Sequence, residues 1–327
     1  GQMPQYVVLP DSGEHEPLVF KEVKISGETG KHSHQCKTAN QSTEEHLEQI
    51  SGLSLVRRGN YAAEPVFRGL NSGQMAVTID GMKIFGACTD KMDPVTSYVA
   101  PDNLAKACMD QTGDCNASCN MASLDLRTKN LQLKPGIKGS VSSGFNSNGM
   151  GRQLGGEVSY GNQIHALRVQ MFYTHSDVYR AGGQRAVAFT QFTKFNGSVH
   201  YKRKLKDGSL FQTKYIADRA YDIGYPALPM DVSFAGGDIL SFDYKKQINT
   251  GIFEALQLKA YGNSIEHIMD DTKRPDVVIH MDMPGTSRTV GAFAVLSTVI
   301  GDHRLRFKPE FFNHRAYAEM TMYPTGE

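Results

Sequence analysis

From the Pro135-Gly136 turn to its last residues the chain alternates apolar and polar residues with period two, segment after segment. That pattern leaves few folds open. In 166–174 (ALRVQMFYT), Leu167, Val169, Met171 and Tyr173 fall on one face, and Arg168, Gln170 and Thr174 fall on the other. In 209–217 (SLFQTKYIA), Phe211 and Tyr215 oppose Gln212 and Lys214. Asp207-Gly208 and Asn249-Thr250-Gly251 each join two such runs, so these residues read as hairpin turns. The stretch 303–317 (HRLRFKPEFFNHRAY) alternates again. Roughly eight to ten strands are expected after residue 136. Two architectures satisfy the pattern: an antiparallel sandwich with its apolar face as core, and a membrane barrel with its apolar face on lipid and a polar lumen.

Composition narrows the function. Lys+Arg number 35 against 34 Asp+Glu, a net charge of +1, so the clustered positive charge that phosphate backbones require is missing and nucleic acid is excluded as a partner. At 40% hydrophobic residues the chain can bury a core, which argues against disorder. The longest strongly apolar run, 291–301 (GAFAVLSTVIG), is shorter than the ~20 residues of a membrane helix. The content of 32 Gly, 16 Phe and 14 Tyr favours β structure, and the lack of Trp runs mildly against a barrel, whose interfaces use Trp as well as Tyr. GQMPQYVVLP has no charged leader or long apolar core, which fits either a cytosolic chain or one numbered after processing. Enzyme signals are poor: GETGK at 27–31 lacks the length and the Ser/Thr of a phosphate loop, and neither HExxH nor GxSxG occurs.

Before residue 136 the text differs. Residues 1–46 are polar, with strand-like VVLP and VFKEVKIS. EEHLEQI places Leu47 and Ile50 at helical spacing, Asp80-Gly81 joins two extended runs in a hairpin, and SLDLRTK (123–129) alternates. A compact α+β unit is expected from about Thr43 to Lys129.

The stretch 47–99 resembles the plug domain of TonB-dependent outer-membrane receptors. The features that carry the resemblance occur in order: Gly52-Leu53-Ser54 with Arg58-Gly59, Phe67-Arg68-Gly69, Val77-Thr78-Ile79-Asp80-Gly81, and the strand from Ser123 to Lys129. GACTDKMDP at 86–94 looks like the copper-receptor branch of that family. The resemblance implies a β fold: an N-terminal extension (1–42), an α+β plug (43–132) and antiparallel transmembrane β-barrel strands (133–327), in the outer membrane of a Gram-negative bacterium. It also implies outer-membrane lipid around the barrel and energy from the inner-membrane protein TonB, contacted through a short box near the N-terminus, for which 18–26 is a guess. Family barrels have about 22 strands, more than the residues after 135 supply, so a partial barrel is expected.

Cys88-Thr-Asp-Lys-Met92 is a CxxxM spacing, which on a helical turn puts thiolate and thioether on one face. His267-Ile-Met269 puts imidazole and thioether on one face of a strand. Together they form a soft donor set suited to Cu(I). The resemblance implies this pairing, with Cys88, Met92, His267 and Met269 on one copper ion, the transported substrate. Packing accounts for a lone Cys or Met more often than ligation does, and Cys88 is also open to a disulfide with Cys108, Cys115 or Cys119. His32, His34 and Cys36 (HxHxC) form a weaker candidate, and Met281 and Met283 of HMDM share a face as secondary contacts. The alternatives are a receptor for another metal or a metal chelate, and a soluble β-rich binding protein.

Overall fold

The computed structural model describes residues 43–110, 122–274 and 276–324. The strand-like runs before residue 27, the region 18–26, the HxHxC residues His32, His34 and Cys36, and the cysteines Cys115 and Cys119 lie outside them.

The first described residues build a small α+β unit. Helix α1 (Thr43–Leu47) is one turn, tied down by the Thr43 hydroxyl donating to the Val99 carbonyl (2.5 Å) and by the buried Leu47. Strands β1 (Leu53–Arg57) and β2 (Ala63–Phe67) pair antiparallel. Strands β3 (Ala76–Ile79) and β4 (Met82–Lys83) form the hairpin expected at Asp80-Gly81, whose φ angles are +50° and +76°. With β5 (Leu104–Asp110) and β6 (Ser123–Thr128) they make a four-stranded sheet of order β4-β3-β6-β5, in which β3 and β6 run parallel. Leu47, Met75, Ile79, Leu124 and Leu126 are buried together with Ile216, Ile239 and Ile265 of the following strands, so the unit shares its core with the sheet around it.

That second sheet has eleven strands among the described residues. β7 (Gly136–Asn146), β8 (Gly151–Gly161), β9 (His165–Ser176), β10 (Phe192–Lys204), β11 (Leu210–Ile223), β12 (Asp231–Thr250), β13 (Phe253–Asp270) and β14 (Ile279–Ile300) pair each with the next, all antiparallel. The chain from 303 onward, including the alternating run at 303–317, is broken: β15 (His303–Phe307), β16 (Glu310–Ala318) and β17 (Thr321–Pro324) all pair with β14. The first break falls at Pro309, which has no N–H to give a ladder. A second break falls at 319–320, so these three strands are pieces of one position beside β14 and the wall has nine positions, within the eight to ten expected. Connections at one end of the sheet are short (162–164, 205–209, 251–252, 301–302); three of those at the other end are longer (177–191, 224–230, 271–278).

The orientation of the two faces decides between sandwich and barrel. On β9 the apolar residues Leu167, Val169 and Met171 are 40%, 40% and 71% exposed, whereas Arg168 and Gln170 are buried. On β12 Leu240 and Phe242 face outward, and Ser241 and Asp243 are buried. A sandwich buries its apolar face; here the apolar face is outside and the polar face looks inward, the arrangement of a barrel wall in lipid. No helix among the described residues is long and apolar enough to cross a membrane.

The inward polar face grips the α+β unit. Lys202 donates to Asn130 Oδ1 (2.9 Å) and to the Leu131 carbonyl (2.6 Å), and Arg168 donates to the Lys129 carbonyl (2.8 Å). Asn196 and Asn263 donate to the carbonyls of Tyr98 and Lys83, both at 3.0 Å. Lys214 reaches Asp80 Oδ2 (2.9 Å), and Lys259 reaches the Asp80 carbonyl (2.8 Å) while pairing with Asp243 (3.1 Å). Buried polar atoms of the wall thus satisfy backbone groups of the unit they enclose.

Candidate metal centre

The site lies where the inner unit meets the long-loop end of the wall. After β4 the chain runs extended to Ala87 and turns through Cys88–Lys91, with the Lys91 N–H donating to the Cys88 carbonyl (3.3 Å) and Lys91 at φ +54°. This differs from the helical turn expected of CxxxM. Asp93 precedes Pro94, and a residue before proline is biased away from helical backbone, so the segment closes as a tight turn instead. The turn still folds Met92 back on Cys88: the Met92 N–H donates to Cys88 Sγ (3.5 Å).

His267 and Met269 sit near the end of β13 and share its inner face, both buried, as period two requires. Met269 Sδ lies 4.0 Å from Cys88 Sγ, although 181 positions separate them in sequence. Gly285 of β14, opposite His267 in the ladder, permits this approach: a Cβ there would stand 2.6 Å from the Ala87 carbonyl oxygen. Exposures of Cys88, Met92, His267 and Met269 are 9%, 1%, 2% and 3%, so the four sequence-predicted residues come together out of water. Met230 packs in the same cluster, and Met281 and Met283 pack against it. His280 is turned away, with its Nδ1 3.0 Å from Asp271 Oδ1. Cys88 and Cys108 are free thiols.

Sequence reasoning missed Asp93. It is 1% exposed, its Oδ1 stands 3.2 Å from His267 Nδ1, and its Oδ2 accepts from the Tyr98 hydroxyl (2.8 Å). One donor atom each from Cys88, Asp93 and His267 lies within 4.8 Å of the others. No spacing rule points to Asp93, because its role comes from adjacency to Met92 and not from a shared face. Neither ring nitrogen of His267 has a partner in hydrogen-bonding geometry, a costly state for a buried polar ring unless something else occupies it.

Loops close over this cluster. Tyr225 donates its hydroxyl to the Met92 carbonyl (2.7 Å). Arg274 holds both carboxylate oxygens of Asp231 (3.0 and 2.7 Å) and the Tyr225 carbonyl (2.7 Å), reaches the Leu228 carbonyl, and stacks over the Phe189 ring at 3.9 Å. One guanidinium therefore ties together segments from three of the long-end connections.

No protein-family model matches the sequence, and no curated protein aligns with it significantly. Solved structures do match. The copper transporter OprC superposes with a TM-score of 0.80 at 21% identity, over 88% of this chain and 46% of that one. The fold is that of a TonB-dependent receptor. The same plug-and-barrel architecture relates the chain to the hemophore receptor HasR of Serratia marcescens (TM-score 0.70, 18% identity, 84% of this chain and 42% of that one). It also relates it to the FrpB iron transporter of Neisseria meningitidis (TM-score 0.67, 14% identity, 88% and 47%). The chain spans a little under half the length of each of these proteins. In the terms of this fold the inner α+β unit corresponds to the plug and the eleven-stranded sheet to barrel wall.

Proposed function

We propose that the chain is the plug and adjoining wall of an outer-membrane receptor that captures ionic copper as Cu(I) and passes it inward. The observation that carries the reading is the burial of Cys88, Met92, His267 and Met269 in one cluster, with neither imidazole nitrogen of His267 in hydrogen-bonding geometry with a partner. One thiolate, two thioethers and an imidazole are soft donors that favour Cu(I) over the hard cations, and their removal from water suits an ion that binds them more strongly than it binds water. Copper is the substrate here: the ion is captured by ligands from plug and wall together, so a displacement of the plug pulls two ligands from the other two and releases it. TonB supplies the energy for that displacement through a segment in the N-terminal extension. The copper transporter among the matched structures agrees with this reading, and iron and hemophore receptors share the fold.

The test is a titration of the purified, metal-free protein in detergent with Cu(I), against a chromophoric chelator, beside Zn(II) and Fe(II). One Cu(I) per chain, held at least ~100-fold more tightly than Zn(II), is expected from the donor set. Equal or weaker binding of Cu(I) than of Zn(II) or Fe(II) would give the site to another metal or to a chelate.

A further inference from the structure

Resting on the copper reading, we infer that Asp93 is the positioning residue of the site: it fixes the tautomer of His267 so that Nε2 presents its lone pair to the ion. A neutral imidazole carries one N–H and one lone pair, and a buried ring has no water to choose between its nitrogens. Asp93 Oδ1 stands 3.2 Å from Nδ1, and it too has no partner in hydrogen-bonding geometry. The two atoms are at contact distance and off line, so a small rotation of the ring aligns Nδ1–H with the carboxylate. The other oxygen is held by the Tyr98 hydroxyl at 2.8 Å, and Tyr98 is fully buried. Asp93 is therefore anchored on one side and free to accept on the side of the histidine. A carboxylate behind a ligating imidazole also raises its basicity and orients its plane.

Placement in the chain adds to this. Asp93 follows Met92 directly, and the rigid Pro94 and the 3-10 turn at Val95–Tyr98 hold both ends of the contact. The plug thus contributes two ligands and the group that sets a third, which belongs to the wall. As a direct ligand Asp93 is the poorer choice, because a carboxylate oxygen is a hard donor in a soft set.

The experiment measures Cu(I) affinity of the parent protein, Asp93→Asn, His267→Ala and the double variant in detergent, with X-ray absorption to count nitrogen and sulfur scatterers. The amide introduced by Asp93→Asn still accepts from Tyr98 but turns an NH2 toward Nδ1, which forces the proton onto Nε2. Affinity should fall ~10–100-fold, with the nitrogen scatterer lost and the sulfurs retained. In the His267→Ala background the same change should cost nothing further, a result that a purely structural or directly ligating Asp93 does not give. Wild-type affinity in Asp93→Asn, or equal losses in both backgrounds, would overturn the inference while leaving the copper site standing. Failure of the parent protein to bind Cu(I) would remove the copper reading itself. Should Asp93→Asn not fold, Tyr98→Phe frees Oδ2 without changing charge, and a few-fold loss confined to proteins that keep His267 is expected; no loss there overturns the inference.

Discussion

Replacing Cys88 by alanine is expected to lower Cu(I) affinity on the order of a thousandfold, about 4 kcal/mol, and to leave the barrel folded. Of the four proposed ligands Cys88 is the one anionic donor, and its thiolate would neutralise the charge of a monovalent ion in a buried site. Met92 and Met269 are neutral thioethers, so Met92→Ala should cost far less, on the order of tenfold. Loss of one sulfur atom leaves a small gap beside Met92, Met230 and Met269, and flexible methionines fill such gaps readily. Competition against a chromophoric Cu(I) chelator reads the change directly. A Cys88→Ala protein that keeps copper within about threefold of the parent would remove the thiolate from the site.

Asp80→Asn should loosen the plug in the barrel more than any other single exchange at their interface. Asp80 turns the β3–β4 hairpin at positive φ, a conformation that asparagine accepts, so the substitution removes charge and not geometry. The carboxylate takes bonds from Lys214 (2.9 Å), from the Thr128 hydroxyl (2.7 Å) and from the Thr128 N–H (3.0 Å). Without the charge Lys214 is a nearly buried ammonium left with neutral acceptors alone, the amide oxygen and Thr128 Oγ1 (2.8 Å). Breaking a buried pair from one side costs about 3–5 kcal/mol, and the low end applies because that bond survives. Burial pushes the Asp80 carboxyl up, but the nearby Lys214 and Lys259 ammonium groups more than reverse it and leave it below the usual carboxylate value. A lowered carboxylate gives its full stabilisation above the unfolded-state pKa of about 4 and loses it as the pH falls through the folded value. The parent plug should therefore stay protected from protease at neutral pH and open in acid, whereas the Asp80→Asn protein should be cut faster at neutral pH. Equal cutting of the two proteins across that range would show that Asp80 does not hold the plug.

Much of the wall was legible in the residues. Leu167, Val169 and Met171 against Arg168 and Gln170 gave the two faces of β9, and Asp207-Gly208 gave a turn, because both depend on local rules of period and backbone. What the alternation left open was which face lies inside, since a sandwich and a barrel write the same pattern; the burial of Arg168 and Gln170 answers that. The strand position beside β14 is interrupted twice, at Pro309 and at 319–320, which the alternation of the sequence does not reveal. At the site, His267 and Met269 followed strand geometry, while Cys88 and Met92 met through a tight turn and not the helical one. Their meeting across 181 positions is a tertiary fact that no spacing contains, and the family resemblance alone suggested it. Asp93 lacked even that, because nothing in its neighbours' periodicity marks it.

The clasp made by Arg274 sets a time scale. The four side chains are at most 9% exposed and the loops above them are tied through one guanidinium, so under the proposed copper reading an ion leaves on that side only when the loops part. Its residence time behind them would then follow the lifetime of the closed loops rather than the strength of a scavenger waiting outside. Under such control a weak competitor and a powerful one would empty the site at similar rates.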